Sequence, residues 1–387
     1  MNKDFAKGLI AGLVLTFIFS TFMIWMMLHD KKLNSTAGKS DVDAKLQQLQ
    51  FYIDTYYIGD VDKEKLKNSA YIGYVSGLGD KYSEYYTPPE NEKVQEHYAG
   101  SFVGIGVYVG IDQEEGLPKI VQLIDGGTAK EAGVESGDFI LAVDGKNTEG
   151  LTLDDVTDMI RGEEGTELVL LVRREGAPDN IEITVKRAKV ENITVSKSML
   201  DNNIGYIFVS SFESTTINQF KDAVDSLTDE GAEALILDFR GNGGGLYSSA
   251  VSMLDRLLPA NELVAYTIDK KGKREDSKTV DSDEVNLPMA VLINGNSASA
   301  SEVFAGCLRD KKKAVMVGET SYGKGIMQTL FGLPAGDSLK LTTAYYYLPG
   351  GDNIHEKGIN PDIPVTDDPD TENDEVIEAA VDYLLNK

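Results

Sequence analysis

Met289-Ala290-Val291-Leu292-Ile293-Asn294-Gly295-Asn296-Ser297-Ala298-Ser299-Ala300-Ser301-Glu302-Val303-Phe304 is the stretch on which the fold turns. Its first part, 289–294, is apolar up to its last residue, Asn294, and of strand length, the pattern of a strand buried on both faces. Small residues follow, and then Val303, Phe304, Cys307 and Leu308 recur on one helical face. The spacing predicts strand, tight turn and a helix over 299–310. That geometry lifts a turn residue to the edge of a sheet, where a serine can act as a nucleophile. It also sets the next backbone N–H at a helix N-terminus, where developing negative charge is stabilised. The same run reads equally as a turn of small residues with serine as N-cap.

Outward from this stretch, strands and helices alternate. Residues 204–209 read as a strand, 217–227 as a helix, 234–239 as a buried strand and 246–258 as a helix. The order implies an α/β core with a largely parallel sheet. Residues 366–375 are acidic, and 376–385 form an amphipathic closing helix. Upstream, Leu46, Leu49, Tyr52 and Ile53 have helical spacing within 42–98. A second helix is expected over 64–78, ending at Gly79-Asp80, and Pro88-Pro89 is expected to stop any helix. Residues 99–188 are different: short β-rich runs at 106–109, 119–123, 168–172 and 181–185 are separated by Gly and Asp, with a helix over 153–161.

A nucleophilic serine needs a base, and the chain has only three histidines. His29 stands at the end of the apolar N-terminal run, His97 precedes the β-rich segment, and His355 lies beyond Gly350-Gly351-Asp352-Asn353, a turn-like sequence. A Ser–His–Asp triad does not suit these positions. A lysine can replace histidine when burial disfavours its ammonium form. Lys324, in Tyr322-Gly323-Lys324-Gly325-Ile326, has glycines that let backbone close around it; as a pentapeptide it also fits a surface turn. Asp238-Phe239-Arg240-Gly241-Asn242-Gly243-Gly244-Gly245 follows a buried strand and offers N–H groups to an anion. Phosphate binding and a flexible turn are its other readings. No Gly-Lys-Ser/Thr follows, so it is not a Walker loop.

Composition narrows the class. Apolar residues make up 42% and charged residues 26% of 387, values of a globular chain long enough for two or three domains. The net charge of −26 repels phosphate backbones and excludes nucleic acid as a natural partner. The single cysteine, Cys307, forbids an intrachain disulfide. Gly8 to Leu28 carries no charge and is long enough to cross a bilayer; Lys3 and Lys7 precede it. The positive-inside rule puts the N-terminus in the cytoplasm and the remainder outside. Met26-Met27-Leu28-His29 is a poor cleavage site, so residues 1–30 are expected to be an uncleaved transmembrane signal-anchor.

These residues together resemble the carboxyl-terminal processing peptidases, or tail-specific proteases, over about 42–365. Ser-Ala-Ser-Ala-Ser-Glu, 297–302, and Gly-Lys-Gly, 323–325, stand at the family's spacing for a Ser–Lys dyad. The resemblance implies Ser299 as nucleophile, Lys324 as general base and Gln328, one helical turn beyond, as the residue that orients the amine. It implies the N–H groups of Ala300 and Gly244 as the oxyanion hole, with Arg240, Glu302 and Asp310 in supporting positions. Gly205-Tyr206-Ile207, Thr342-Thr343-Ala344-Tyr345-Tyr346 and Gly358-Ile359-Asn360-Pro361-Asp362 also match. Two departures occur: Ser321 stands where the family usually has threonine, and Gly127-Thr128 where a Ser-Pro pair is usual.

Phe102-Val103-Gly104-Ile105-Gly106-Val107 resembles a PDZ carboxylate-binding loop. Val103, Gly104, Ile105 and Gly106 would hold a substrate C-terminus while the peptide adds as a strand. The implied organisation is an anchor over 1–30, a linker and helical N-terminal region over 31–98, an inserted PDZ domain over 99–188, a crotonase/ClpP-like α/β serine protease core over 189–365, and an acidic segment with a C-terminal helix over 366–387. The expected activity is a serine endopeptidase acting on unstructured or partly unfolded protein C-termini outside a bacterial cell membrane, with no metal or organic cofactor. In the family the PDZ domain gates the active site; Arg161 is a candidate relay and equally a solvated helix-end cation. Helices at 42–78 and 376–385 resemble parts that make dimers in some relatives, so a homodimer is expected. Two other classes remain at this point: a catalytically inactive PDZ scaffold, and a crotonase-type acyl-CoA enzyme, for which no basic nucleotide site is found.

Overall fold

The computed structural model describes residues 41–280, 284–368, 371 and 373–386. The expected anchor over 1–30 lies outside them; among the described residues no helix is long and apolar enough to cross a membrane. The chain divides after Tyr71 into two compact units. In the first, the helix Asp41–Tyr56 leaves Leu46, Leu49, Phe51 and Tyr52 exposed and stacks Tyr52 on Tyr56 at 6.0 Å. A second helix, Lys63–Ser76, runs across the division.

The larger unit is built on a six-stranded sheet in the order Val195–Leu200, Ile204–Val209, Ala234–Asp238, Met289–Ile293, Ala314–Gly318, Ile363–Pro364. Its first pair is antiparallel and the rest are parallel. Ala234–Asp238 and Met289–Ile293 are buried at every position, which is why they read as continuous apolar runs. Leu235, Leu237, Val291 and Ile293 face a core shared with the helices Thr216–Asp229, Tyr247–Leu254 and Ala300–Asp310. Ile236, Ala290 and Leu292 face the other way, against Val376, Ala380 and Leu384 of the closing helix Glu375–Leu385. The alternation of strand side chains thus makes a helix–sheet–helix sandwich.

A second, largely antiparallel sheet joins Ser338–Tyr347 to Ile326–Gly332, Glu84–Tyr86, Leu263–Asp269 and Arg274–Lys278. Gln328 therefore lies on a strand, opposite Thr342, and not a helical turn beyond Lys324 as expected. The lysine loop runs directly into strand Ile326–Gly332, so no helix is present to supply that spacing.

Pro88-Pro89 does not end a helix; it begins one, Pro88–Ala99. Proline in a first helical turn has no N–H to waste and a φ already suited to it. Glu90 completes the start by accepting from the Thr87 N–H (2.8 Å) and hydroxyl (2.7 Å). This helix leads to Ser101–Gly104, which pairs with Ala188–Glu191 and brackets the β-rich segment. Within the brackets, six strands pack Ile120, Ile140, Leu168, Leu170, Val172 and Val185 into their own core with Val156 and Ile160 of the helix Leu153–Ile160.

Candidate active site

Ser299 is held at φ 59°, ψ −112°, a backbone conformation that a residue with a Cβ rarely adopts. The surrounding hydrogen bonds explain how it is retained. Ser297 Oγ accepts from the Asn294 N–H and donates to the Phe239 carbonyl, both at 2.9 Å. Ala298 N–H and Ser301 Oγ both donate to the Asn242 carbonyl, at 3.0 and 2.9 Å. The small hydroxyls flanking Ser299 therefore bind the turn to the glycine-rich loop, and Ser299 itself is left half-buried on a cavity wall.

That cavity, about 1210 Å³, is lined by Ser299, Ala300, Gly244, Lys324 and Gln328 among others. The structure thus brings the five predicted residues to one cavity, although they come from three segments far apart in sequence. Glu302 connects them. Its carboxylate is fully buried. One oxygen accepts the backbone N–H groups of Ser299 and Lys324, both at 2.8 Å. The other accepts the Ser321 hydroxyl (2.5 Å) and the Gly323 N–H (2.7 Å). Ser321 supplies the hydroxyl expected there and also accepts the Ile359 N–H at 2.7 Å.

Tyr346, quoted in the sequence only as part of a matching run, is a second tie. Its buried hydroxyl lies 2.6 Å from the Lys324 carbonyl and 3.2 Å from the Ser299 carbonyl. Gly325 lets the His355 backbone close over the loop: a Cβ there would stand 2.5 Å from the His355 nitrogen. Lys324 is in consequence half-buried. Burial, and then the nearby Lys340 ammonium, push its pKa below the usual lysine value, against the pull of Tyr322, Asp80 and Glu302.

Three side groups are engaged elsewhere. Lys324 Nζ lies over the Tyr82 ring, 4.6 Å from its centroid, and no hydrogen bond joins it to Ser299 among the described residues. The Gln328 amide donates to Thr342 Oγ1 at 3.4 Å rather than to the lysine. The Gly244 N–H, assigned by the resemblance to an oxyanion hole, donates to Asn242 Oδ1 at 2.8 Å. In this arrangement Asn242, fully buried and anchored by its own amide to the Val209 carbonyl, holds that donor. Gly244 still has to be glycine, because a Cβ would stand 2.9 Å from Ser299 Cβ and its φ is +105°. Asn242 was missed as a positioning residue because its neighbours read as a flexible glycine loop.

The supporting residues have structural positions. Arg240 bridges Asp238 (2.6 Å) and Asp374 (2.7 Å). Asp310, at the C-terminal end of the helix Ala300–Asp310, accepts the Gly350 N–H at 2.8 Å. His97 stands on the cavity wall, but its Nδ1 faces Glu213 at 3.5 Å.

In the β-rich segment Gly104, Ile105 and Gly106 line a separate groove of about 400 Å³. Their loop is fixed through the Ile105 and Gly106 carbonyls, which accept from Ala129 and Ile124 at 2.9 Å. Val103 is not among the lining residues; it pairs with Lys189 in the bracketing strands. Arg161 also lines this groove, donates to Glu96 at 2.7 Å and lies 5.3 Å from the Phe102 ring centroid.

Comparison with known proteins gives the family of the chain. Residues 203–365 match the model of peptidase family S41, and residues 119–174 match the PDZ domain. The carboxy-terminal processing protease CtpA of Bacillus subtilis (strain 168) is 35% identical over 330 residues, covering 85% of this chain and 70% of the relative. The carboxy-terminal-processing protease of Bartonella bacilliformis is 36% identical over 320 residues, covering 81% and 72%. Among solved structures, the photosystem II D1 C-terminal processing protease is 27% identical, with 88% of this chain and 90% of that chain covered and a TM-score of 0.49. The α/β core, the PDZ domain and the similarity over most of the chain place it in one class: it belongs to peptidase family S41, as a serine-type carboxy-terminal processing protease.

Proposed function

We propose that this peptidase cleaves protein substrates with a Ser299–Lys324 dyad and takes hold of their C-termini through the PDZ groove. The observation that carries the reading is Glu302: one buried carboxylate fixes the backbone of both residues on the wall of one cavity. Neutral Lys324 takes the proton of Ser299 Oγ as that oxygen attacks the scissile carbonyl. The Ala300 N–H, at the start of the helix Ala300–Asp310, receives the developing oxyanion. The Gly244 N–H joins it once released from Asn242. The protonated lysine then serves the leaving amine, and Lys324 activates the water that hydrolyses the acyl-enzyme. Ser299→Ala and Lys324→Ala are each expected to abolish cleavage of an unstructured peptide with an apolar free C-terminus. Retained cleavage by either variant ends the dyad assignment.

The groove at Gly104–Gly106 supports recognition of a terminal carboxylate by backbone N–H groups. A free-acid peptide should be cut faster than its C-terminal amide; equal rates would contradict gating by the substrate terminus. The uncharged run Gly8–Leu28, with Lys3 and Lys7 before it, supports a membrane anchor with the peptidase outside the cell. Protease shaving of intact cells should then remove the catalytic unit. An inactive PDZ scaffold would show no labelling of Ser299 by a serine-reactive probe above pH 8.

A further inference from the structure

Tyr82 has no place in the dyad or the oxyanion hole, yet its ring is where the Lys324 amine rests, 4.6 Å from the centroid. The turn that carries the ring is fixed by hydrogen bonds. Asp80 accepts the Tyr82 N–H (3.0 Å) and the Ser83 hydroxyl (2.6 Å), and Ser83 Oγ accepts the Thr342 N–H (3.1 Å). The strand Glu84–Tyr86 then pairs with Ser338–Tyr347. Lys81 Nζ also lies 4.9 Å from the centroid of this ring and donates to Tyr322 Oη at 2.8 Å. Tyr322 Oη is in turn 3.5 Å from Tyr82 Oη.

We propose that the face of Tyr82 is a docking site for the charged form of Lys324, making Tyr82 a positioning residue that sets how much of the base is withheld from Ser299. The proposal rests on Lys324 being the general base. An aromatic face attracts an ammonium and has no comparable hold on a neutral amine. Other charges face this lysine from several elements. Lys340 on the strand Ser338–Tyr347 opposes its charge. Tyr322 on its own loop, Asp80 in the turn and Glu302 on the nucleophile helix favour it. Glu84 on the strand Glu84–Tyr86 also senses the lysine. Those groups act on the charge across a range of positions. The ring acts where Nζ now stands, over its face and without a hydrogen bond to Ser299 among the described residues. When the ammonium gives its proton to water, the amine is released to swing to Ser299 Oγ.

The test is the pH profile of kcat/KM for a free-acid peptide, with the pH dependence of Ser299 labelling by a fluorophosphonate probe, on the full chain. Tyr82→Leu keeps an apolar group and removes the ring; its acid limb should move down by about 0.5 to 1 pH unit. Activity below the inflection should then rise severalfold. Tyr82→Phe should keep the limb of the parent, and Tyr82→Trp, with the stronger face, should move it up. Limbs that stay at the parent value in both the Leu and Trp variants overturn the proposal, as does a Phe limb that moves with Leu. If Tyr82→Leu does not fold, the Phe and Trp profiles decide alone. Lys324→Ala separates the two claims: an active Lys324→Ala sinks the dyad, whereas an inactive one with unmoved Tyr82 limbs sinks only the docking site.

Discussion

Glu302 places four hydrogen-bond donors on two oxygens inside a wall that excludes water. Glutamine would present an NH2 to two of those donors, leaving buried N–H groups unpaired at about 1–3 kcal/mol each. Glu302→Gln is therefore expected to lower stability by about 3 kcal/mol in urea denaturation. It should also slow Ser299 labelling, since the backbones of Ser299 and Lys324 lose a common anchor. Charge at Lys324 has a readable sign as well. Its pKa lies below the usual lysine value first through burial and then through Lys340. A lysine serving as the proposed base works when neutral, so activity should rise with pH through that lowered pKa. Lys340→Met removes the like charge and also frees Glu84, which favours the ammonium. Both effects raise the pKa of Lys324, and the acid limb of kcat/KM should move to higher pH. A limb that moves down would show that Lys340 does not act through Lys324. In the sequence Ser299 and Lys324 stood out only through the family resemblance, because a serine after a buried strand and a lysine between glycines each also read as ordinary turn residues. The sequence could not disclose where the lysine amine rests, because Tyr82 reaches it through pairing of the strand Glu84–Tyr86 with Ser338–Tyr347.

At the scale of elements, the buried parallel strands were legible and the second sheet was not. Met289–Ile293 is buried throughout and has no competing pattern. Ile326–Gly332 and Ser338–Tyr347 are mostly half-buried along both faces, so neither alternation nor a continuous apolar run marks them. Reading Gln328 as a helical turn from Lys324 failed for that reason. Pro88-Pro89 failed differently: a proline pair is a stop in a helix interior and a start at its first turn. The loop Arg240–Gly245 is the element whose conformation would decide the proposed second oxyanion donor. Its Gly244 N–H is on Asn242, while its Cα is packed against Ser299 and Ala300. Gly244→Ala should lower kcat by about 10²–10³. The α/β core should remain folded by circular dichroism, since the added Cβ meets the turn and not the sheet. Wild-type kcat in that variant would show that this loop does not shape the oxyanion site.

Across the larger unit, the loop that carries Gly244 is tied to the far end of the chain. Arg240 precedes the glycines and donates to both Asp238, at the end of a central strand, and Asp374, which caps the closing helix through the Val376 and Ile377 N–H groups. Tyr206 Oη adds a bond to Asp238 at 2.7 Å. Burial alone would raise the Asp374 carboxyl; Arg240 and the two cap N–H groups outweigh it and hold the pKa below the usual value. A carboxyl whose folded pKa is depressed contributes stability above its unfolded pKa and loses it as pH falls through the folded one. Asp374→Asn should therefore be less stable than the parent at neutral pH, and the two denaturation curves should converge as the solution is made acid. Arg240→Ala should cost more, about 3 kcal/mol, because it leaves Asp238 charged and buried without its cation. Hydrogen exchange should then rise both in the helix Glu375–Leu385 and in the glycine loop. Faster exchange in the helix with an unchanged loop would show that the C-terminal clamp and the active-site loop are mechanically independent.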